Sequence, residues 1–502
     1  MKYLLNAKEM QEADKNTIEY FGIPSMVLME RAAISVCTYI IENYGRDKSV
    51  LVVCGTGNNG GDGLAIARLL TKEGLDVKVL CIGDRAKASK DNIKQYNICQ
   101  RYQVEFVEEL VTTDVIVDAI FGIGLTREVA GDYGQMIQNI NDSSAYVVAV
   151  DIPSGLSADN GYPQGLSVMA DATVTFGFPK IGHVLFPGRK YCGNVVVADI
   201  GIDEQSLLNI RPKYNYLEQR DLFALPKAEV DSHKGSNGKV LCVVGSKEYG
   251  GAAYLSSKAA MTIGSGMVYV YTHISNRDFI LSKFPEAIVK CYSSIADENE
   301  DSFDKDELIE LLKQMDAVVI GPGLGTDDRS KNILHTVIEN ADSPLVIDAD
   351  AINMIAGDKN ILKNIQVDAV MTPHIGEMSR ICNNPAGYVE LHSLEIANDF
   401  AMNNKVNIVL KNAATITATS YGTIYINTSG NEGMAVAGSG DVLSGIIGGL
   451  IAQGMNADDA ACLGVYIHGL AGDSMIEKCG YHGMVASDLI NGLKKVLIEY
   501  NL

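Results

Sequence analysis

The chain has 502 residues, 47% of them hydrophobic, and its 62 acidic residues outnumber 41 basic ones to give a net charge of −21 at pH 7. This length predicts two domains, because a single hydrophobic core seldom organises so many residues. So acidic a surface makes nucleic acids and anionic membranes poor partners, since both carry the same sign of charge.

Cysteine spacing and hydropathy indicate a cytoplasmic protein. The ten cysteines are scattered and form no C-x-x-C pair, which is typical of small core residues in a reducing compartment. No stretch of about 18 apolar residues marks a membrane span, and the first residues lack the apolar segment of a signal peptide. We also expect a homo-oligomer, because the many glycine-rich loops offer surfaces for assembly.

The first half of the chain alternates apolar runs with helical patterns. An apolar run at 49–54 precedes a glycine-rich loop at 55–63, a helical pattern from Leu64 to Leu70 and a second run at 77–82. This order predicts a βαβ unit. More apolar runs predict a parallel sheet with helices on both faces, and they lie at 115–120, 146–152, 172–178 and 194–200.

The pattern weakens between residues 203 and 234, where we place the boundary between two domains, 1–218 and 219–502. The alternation restarts at 238–245. A glycine-rich step and a helical pattern follow, and then come apolar runs at 268–271, 317–320, 345–348, 367–371 and 407–410. Both domains are therefore predicted to be of the α/β class.

The loop at 55–63 matches a dinucleotide-binding fingerprint through Gly55, Gly57 and Gly60. Asp62, however, would place a carboxylate where such proteins hold a pyrophosphate. Asn58, Asn59 and Asp62 instead offer side-chain oxygens, which suit a hydrated or alkali cation together with a polar ligand.

Two further clusters follow strands of the same predicted sheet. They are Asp118-Ala-Ile-Phe-Gly-Ile-Gly124 and Asp151-Ile-Pro-Ser-Gly155. Each aspartate alone has a turn or capping role at least as often as a ligand role. Ligands of open α/β sheets bind beyond the carboxyl ends of strands, so we expect the three clusters to share one crevice.

These motifs, with Pro24-Ser-Met-Val-Leu-Met-Glu30 upstream, resemble the NAD(P)H-hydrate epimerase domain over residues 1 to about 215. The resemblance implies a Rossmann-like three-layer sandwich. It also implies a potassium ion held by Asn59, Asp118 and Ser154. The residues that it places against the hydrated cofactor are Asn58, Asn59, Gly60, Gly61, Asp62, Gly122, Ile123, Gly124, Leu125, Thr126, Arg127, Glu128, Tyr133 and Asp151.

The substrate that the resemblance implies suggests a mechanism. The hydrate carries a hydroxyl group on the reduced nicotinamide ring, at a carbon next to the ring nitrogen. The nitrogen lone pair helps to expel this hydroxyl, and return of water to the opposite face inverts the carbon. We assign the proton transfer to Asp151.

The second domain contains the glycine-rich loop 431–440, which runs into Asp441 and a predicted buried helix over 442–450. Free amide groups and the dipole at a helix N-terminus bind phosphate oxygens. Asp441 caps this helix or acts as a base, and its phosphate-binding surroundings favour a base.

Seven motifs in order resemble the NAD(P)H-hydrate dehydratases, which are ribokinase-like, over about 225 to 500. They lie at 232–238, 250–253, 320–325, 348–353, 372–377, 411–415 and 438–441. A ribokinase-like three-layer sandwich is therefore expected for this domain. The resemblance implies hydrate contacts for Ala252, Gly323, His374 and Asp441. For the adenine nucleotide it implies Lys411, Asn412, Ala413, Ala414, Thr415 and Gly440.

The implied reaction converts a poor leaving group, hydroxide, into phosphate. Asp441 deprotonates the ring hydroxyl and the 438–440 amides stabilise the moving phosphoryl group. We expect Mg²⁺ with the nucleotide, and ADP in preference to ATP, because the domain order resembles bacterial members that use ADP. The small-molecule partners are thus NADH or NADPH hydrate and an adenine nucleotide. The alternatives are a small-molecule or vitamin kinase and a first domain that only senses nucleotides.

Overall fold

The computed structural model describes residues 2–227, 233–292 and 303–500. The chain forms two compact units, Tyr3–Tyr214 and Asn215–Leu502. Part of the weakly patterned segment, residues 228–232, lies outside the described residues. Across the three described ranges, no helix combines the length and apolar character that crossing a bilayer requires.

The first unit contains a seven-stranded sheet in the order β4-β3-β2-β5-β6-β7-β8, with every neighbouring pair parallel. Val52 in the central strand pairs with Val79 on one side and Val117 on the other. The strands of this sheet are β2 (Ser49–Cys54), β3 (Asp76–Cys81), β4 (Glu105–Val107), β5 (Val115–Ala119), β6 (Tyr146–Val150), β7 (Ala172–Phe176) and β8 (Asn194–Ala198). Two short strands, β1 (Lys2–Leu4) and β9 (Tyr214–Tyr216), are not part of it.

Side chains of β2 alternate between two buried clusters, as the pleat of a strand requires. Val50 and Val52 join the cluster that contains residues of the second and third helices, and Leu51 joins the cluster that contains Ile137 and Ile140. The predicted parallel sheet with helices on both faces is therefore confirmed. The helices are α1 (Ala7–Glu19), α2 (Ser25–Tyr44), α3 (Asn58–Lys72), α4 (Lys90–Arg101), α5 (Gly131–Asn141), α6 (Ile181–Val184) and α7 (Arg189–Cys192), with 3-10 turns at Arg85–Lys87, Glu204–Leu207 and Gln219–Ala224.

The loop predicted over 55–63 is wrong in its second half, because α3 already begins at Asn58. The glycines there serve close packing of the helix on the sheet. A Cβ added at Gly63 would lie 2.5 Å from the Cβ of Ala119 and 2.8 Å from the Sγ of Cys54. Because α3 begins at Asn58, the first backbone N–H groups of this helix are those of Asn58 and Asn59.

The second unit contains a sheet whose strands from 239 to 426 follow the order β18-β17-β16-β15-β14-β13-β10-β11-β12. Pairs from β12 to β16 are parallel, and β17 and β18 add antiparallel pairs beyond β16. The strands are β10 (Lys239–Val243), β11 (Met267–Thr272), β12 (Ile288–Cys291), β13 (Ala317–Ile320), β14 (Leu345–Ile347), β15 (Ala369–Met371), β16 (Asn407–Leu410), β17 (Ile416–Ala418) and β18 (Ile424–Ile426).

The predicted buried helix after the glycine-rich loop is α16, and every residue from 442 to 452 is buried. Gly445 lets it approach α8 closely, since an added Cβ would lie 2.1 Å from the Ser256 carbonyl oxygen. The helices are α8 (Gly250–Thr262), α9 (Arg277–Lys283), α10 (Lys305–Leu312), α11 (Asp328–Asn340), α12 (Ala349–Gly357), α13 (Ile375–Cys382), α14 (Ala386–Leu391), α15 (Ser393–Asn404), α16 (Ser439–Ala452), α17 (Ala457–Asp473), α18 (Ile476–Cys479) and α19 (Ala486–Glu499), with 3-10 turns at Ile274–Asn276, Lys359–Asn364 and Glu432–Met434.

Candidate active sites

A cavity of about 720 Å³ opens beyond the carboxyl ends of β2, β5 and β6 in the first unit. All three glycine-flanked clusters contribute to its wall. The predicted ligand residues that line it are Asn58, Asn59, Asp62, Gly122, Ile123, Gly124, Leu125, Thr126, Arg127, Tyr133 and Asp151.

Three predicted ligand residues are not part of this wall. Gly60 and Gly61 pack against protein instead, because added Cβ atoms would lie 2.0 Å from the Gly55 carbonyl oxygen and 2.8 Å from the Cε of Met29. Glu128 lies beside Gly165, whose added Cβ would be 3.0 Å from its Cγ. Their predicted ligand contacts remain predictions.

Asp151 has an unusual backbone. Its φ of 68° lies in the left-handed region, which residues other than glycine seldom adopt and which recurs at functional sites. The Nζ of Lys180 donates to Asp151 Oδ1 at 2.5 Å, and the Thr175 hydroxyl donates to the same oxygen at 3.1 Å. The carboxylate is thus fixed in position at the cavity wall.

Lys180 contacts the candidate site and was not assigned from the sequence. Its side chain is 0% exposed, and Nζ also donates to Thr175 Oγ1 at 2.6 Å. A lysine enclosed so completely needs a negative partner, and Asp151 supplies it. The only signal in the sequence is one lysine within the apolar segment 176–186.

The cavity wall carries three more carboxylates, Asp14, Asp62 and Asp91. Burial raises the pKa of Asp62 well above its usual value, and the charges of Asp151 and Asp14 raise it further. Burial and the charge of Asp151 also raise the pKa of Asp14, against the opposing effect of Lys180. This wall therefore holds several carboxyl groups, and the pKa values of Asp62 and Asp14 are raised.

Of the predicted potassium ligands, Asn59 lines the cavity, whereas Asp118 and Ser154 are not part of its wall. Asp118 is 0% exposed, and it accepts hydrogen bonds from the Ser154 hydroxyl at 2.6 Å and the Ser154 amide at 2.8 Å. Burial raises the pKa of Asp118 to about 6, against these hydrogen bonds. Asn59 lies across Gly122, whose added Cβ would be 3.4 Å from Asn59 Oδ1.

In the second unit, a different set of groups lies at the start of α16. Gly438 precedes the helix with φ 90°, a left-handed conformation that favours glycine. An added Cβ at Gly440 would lie 3.0 Å from Lys411 Nζ and 3.9 Å from Asp348 Oδ2. The structure thus brings the helix N-terminus, a lysine and a carboxylate together.

Lys411 follows β16 and pairs with a carboxylate that the sequence reasoning had not assigned. Its Nζ donates to Asp348 Oδ1 at 2.8 Å. Burial lowers the pKa of Lys411, but the charges of Asp348, Glu377 and Asp441 outweigh burial and raise it overall. The other carboxylate oxygen, Asp348 Oδ2, is buried without a hydrogen-bond partner among the described residues.

Asp441 lies in the first turn of α16. Burial raises its pKa to about 6, the charge of Asp348 adds to this and that of Lys411 opposes it. A carboxylate with this pKa exchanges a proton readily near neutral pH, which is what a general base needs.

His374 caps α13, and its ring is 53% exposed. Its Nδ1 accepts from the Gly376 amide at 2.9 Å, while the carboxylate of Glu377 accepts from the His374 amide at 2.8 Å. Burial raises the pKa of Glu377 to about 7, against the charge of Lys411. His374 therefore serves as the N-cap of α13, and it forms a β-bridge with Lys411.

The other predicted residues lie in two places. Gly323 touches α8, since its added Cβ would lie 2.9 Å from the Cβ of Ala252. Residues 412–415 follow Lys411 as a turn in which Asn412 Oδ1 accepts from the Ala413 amide at 2.8 Å and Thr415 donates to the Asn412 carbonyl.

Known proteins match both units. A family model described as YjeF-related protein N-terminus matches residues 25–182, and one described as NAD(P)H-hydrate dehydratase matches residues 240–495. A bifunctional NAD(P)H-hydrate repair enzyme Nnr of Thermofilum pendens is 37% identical, over 97% of this chain and 95% of that protein. Its namesake from Moorella thermoacetica is 36% identical, over 99% and 96%.

The chain belongs to the family of bifunctional NAD(P)H-hydrate repair enzymes. A solved ribokinase-like superfamily protein of Enterococcus faecalis is also similar, with 28% identity and a TM-score of 0.51 over 58% of this chain and 97% of that chain. The predicted family and fold class are confirmed. Full-length relatives named as NAD(P)H-hydrate repair enzymes do not favour the alternative of a vitamin kinase fused to a sensor domain.

Proposed function

We propose that this chain repairs hydrated nicotinamide cofactors, with an epimerase in its first unit and an ADP-dependent dehydratase in its second. The observation that carries the proposal is Asp441, a carboxylate with a pKa of about 6 at a helix N-terminus beside Lys411. A base, an anion-binding helix end and a cation are the parts that phosphoryl transfer to a hydroxyl group requires.

In the epimerase, Asp151 handles the proton of the departing and returning water. Lys180 holds the carboxylate through the contact at 2.5 Å, and Thr175 holds the same oxygen. Inversion needs a proton donor on the face from which the hydroxyl leaves. Asp62 lines the same cavity, and burial and the charge of Asp151 raise its pKa well above the usual value, so we assign this donor to Asp62.

The residues Asn59, Asp118 and Ser154 fit a potassium ion. Asp118 is a fully buried carboxylate, and no ion pair joins it to a basic side chain within the described ranges. Carboxylate, hydroxyl and amide oxygens of Asp118, Ser154 and Asn59 would hold the cation. A bound cation supplies the charge that a buried carboxylate otherwise lacks.

In the dehydratase, Asp441 takes the proton from the ring hydroxyl as that oxygen attacks the terminal phosphorus of ADP. The bond from phosphorus to the AMP oxygen breaks, and AMP leaves. The ring nitrogen lone pair then expels phosphate, and loss of a proton from the neighbouring ring carbon restores the double bond of NADH or NADPH. Lys411 and the first-turn amides of α16, next to Gly440, stabilise the phosphoryl oxygens in flight.

Magnesium fits at Asp348. Its Oδ2 is buried, has no partner among the described residues and points to the side of Gly440. Magnesium in nucleotide sites typically takes one or two carboxylates together with phosphate oxygens. The ion would supply positive charge to the nucleotide phosphates in addition to that of Lys411.

The test is to incubate the purified full chain with a mixture of R and S hydrate and ADP. Formation of AMP, phosphate and reduced cofactor from both epimers is the expected result. Accumulation of a stable phosphorylated product would contradict the dehydratase, and arrest with the R epimer untouched would contradict the epimerase. Repeating the assay with ATP and with Na⁺ in place of K⁺ tests the nucleotide and the cation. Light scattering of the same preparation tests the expected homo-oligomer.

A further inference from the structure

Helix α17 packs against the segment 429–439, which leads into α16 and is called the nucleotide loop below. Residues of this loop contact α17 at several points over residues 466–473. No residue of this face belongs to the predicted ligand set.

Three hydrogen bonds from the loop converge on α17. The Gly430 amide donates to Asp473 Oδ2 at 2.8 Å, and the side-chain amide of Asn431 donates to Asp473 Oδ1 at 2.9 Å. The Ser429 hydroxyl donates to the Tyr466 carbonyl at 2.8 Å. Both oxygens of one carboxylate are thereby engaged by consecutive loop residues.

Two glycines of α17 allow the close approach. An added Cβ at Gly469 would lie 2.1 Å from the Ser429 Oγ and 2.7 Å from the Ser429 carbonyl carbon. One at Gly472 would lie 2.3 Å from the Sδ of Met434. The first conflict involves backbone atoms, so any side chain at residue 469 has to displace the loop.

The far end of the loop also meets this helix. The Ser439 hydroxyl lies 3.5 Å from His468 Nε2. Burial lowers the pKa of His468 to about 4, and the charge of Lys411 opposes protonation as well, so its ring is neutral near pH 7. Helix α17 therefore contacts the loop at its start, over residues 429–431, and again at Ser439, where α16 begins.

We infer that contacts with α17 set the conformation of the nucleotide loop. Asp473 is then a positioning residue for phosphoryl transfer, and it acts through Gly430 and Asn431. Asp473 fixes where the chain enters the turn, and the glycines set how closely it lies on the helix. The amides at Ser439 and Gly440 then take the place from which they bind phosphate. This inference rests on the proposed dehydratase function.

The experiment compares Asp473→Ala and Asp473→Asn in the full chain. Loss of two hydrogen bonds from a carboxylate is expected to raise the KM for ADP about tenfold or more in Asp473→Ala. Asn keeps one acceptor oxygen, so Asp473→Asn is expected to lie between Ala and the unchanged chain. The KM for the hydrate and the rate of epimer exchange stay the same, whereas a general loss of folded protein would lower the measured rates and raise neither KM.

Two controls keep the test decisive. Asp459→Asn changes a carboxylate at the start of the same helix, where it only accepts from Asn456, and leaves both KM values unchanged. Gly469→Ala is expected to raise the KM for ADP, whereas Gly387→Ala, with nothing within 4 Å of the new Cβ, is not. Gly469→Ala also keeps the inference testable if Asp473→Ala fails to fold.

An unchanged KM for ADP in the Asp473 variants would overturn the inference, and so would equal increases in both KM values. Failure of the proposed function is distinguishable, because the unchanged chain would then release no phosphate from ADP. In that case protection against thermal unfolding by ADP measures nucleotide binding directly. Protection lost in Asp473→Ala and kept in Asp459→Asn supports the inference, and equal protection refutes it.

Discussion

Both sites place an aspartate near a lysine, but the lysine has a different partner in each. In the first unit Lys180 binds Asp151 itself at 2.5 Å. In the second, Lys411 binds Asp348, and Asp441 keeps a pKa of about 6. The comparison teaches that a lysine can either hold a reacting carboxylate or be held away from it by a second carboxylate. The first arrangement suits positioning, and the second leaves a base that exchanges its proton near neutral pH.

The largest expected effect separates the two sites completely. Asp441→Asn removes the base of the second unit, and we expect dehydratase kcat to fall about 10³-fold. Epimer exchange should persist, since Asp441 lies outside that cavity. Release of AMP and phosphate measures the first activity, and chromatography of R and S hydrate measures the second. A loss of both activities would show that Asp441 supports folding instead.

Substitution at Asp151 provides the reciprocal result. Asp151→Asn is expected to slow epimer exchange about 10²-fold or more while binding of hydrate persists, because the amide cannot take up the proton. Lys180→Met should slow exchange too, since it leaves the Asp151 carboxylate without its cation. Exchange at the original rate in Asp151→Asn would remove Asp151 from the mechanism. Dehydration of pure S hydrate is the control, and it should be unchanged.

A pH profile sharpens the contrast. Asp441 has to be ionised to accept a proton, and its pKa is raised to about 6. Dehydratase kcat/KM is therefore expected to fall as the pH decreases below about 6, by about tenfold for each further pH unit. Asp441→Asn should lose this acidic limb. A limb centred near pH 4 would mean that the base has the pKa of an ordinary aspartate.

The smallest expected effect concerns the lysine of the second site. Gly440→Ala places a Cβ 3.0 Å from the flexible end of Lys411, which can move by a few tenths of an ångström. We expect the KM for ADP to rise about threefold, a change well under 1.4 kcal/mol. Gly357→Ala, where nothing lies within 4 Å, serves as the control. A rise beyond about a hundredfold would mean that Lys411 cannot relax.

The sequence predicted the fold because its apolar runs mark buried parallel strands, and each predicted run contains a strand. Short strands such as β4 and β18 were not predicted, since three residues carry little pattern. The early start of α3 escaped because glycines in 60–63 suggested a loop, whereas they serve packing against Cys54 and Ala119.

The sequence predicted the site residues that stand in recognisable motifs. Asp151 and Asp441 stand in glycine-rich motifs at strand and helix ends, and both lie where such motifs place ligands. Lys180 and Asp348 were not assigned, because the role of each comes from a partner far along the chain. Ion pairs over such separations have no local spacing in the sequence.

The most direct test of two separate sites that act on one damaged cofactor mixes two full-length variants, each of which lacks one of the two activities. Asp151→Asn alone is expected to consume only the S epimer of an R and S mixture with ADP, and Asp441→Asn alone to restore no reduced cofactor. Together in one tube the two variants should convert both epimers fully, because the first supplies dehydration and the second supplies exchange. A mixture that stops after the S epimer would contradict the account.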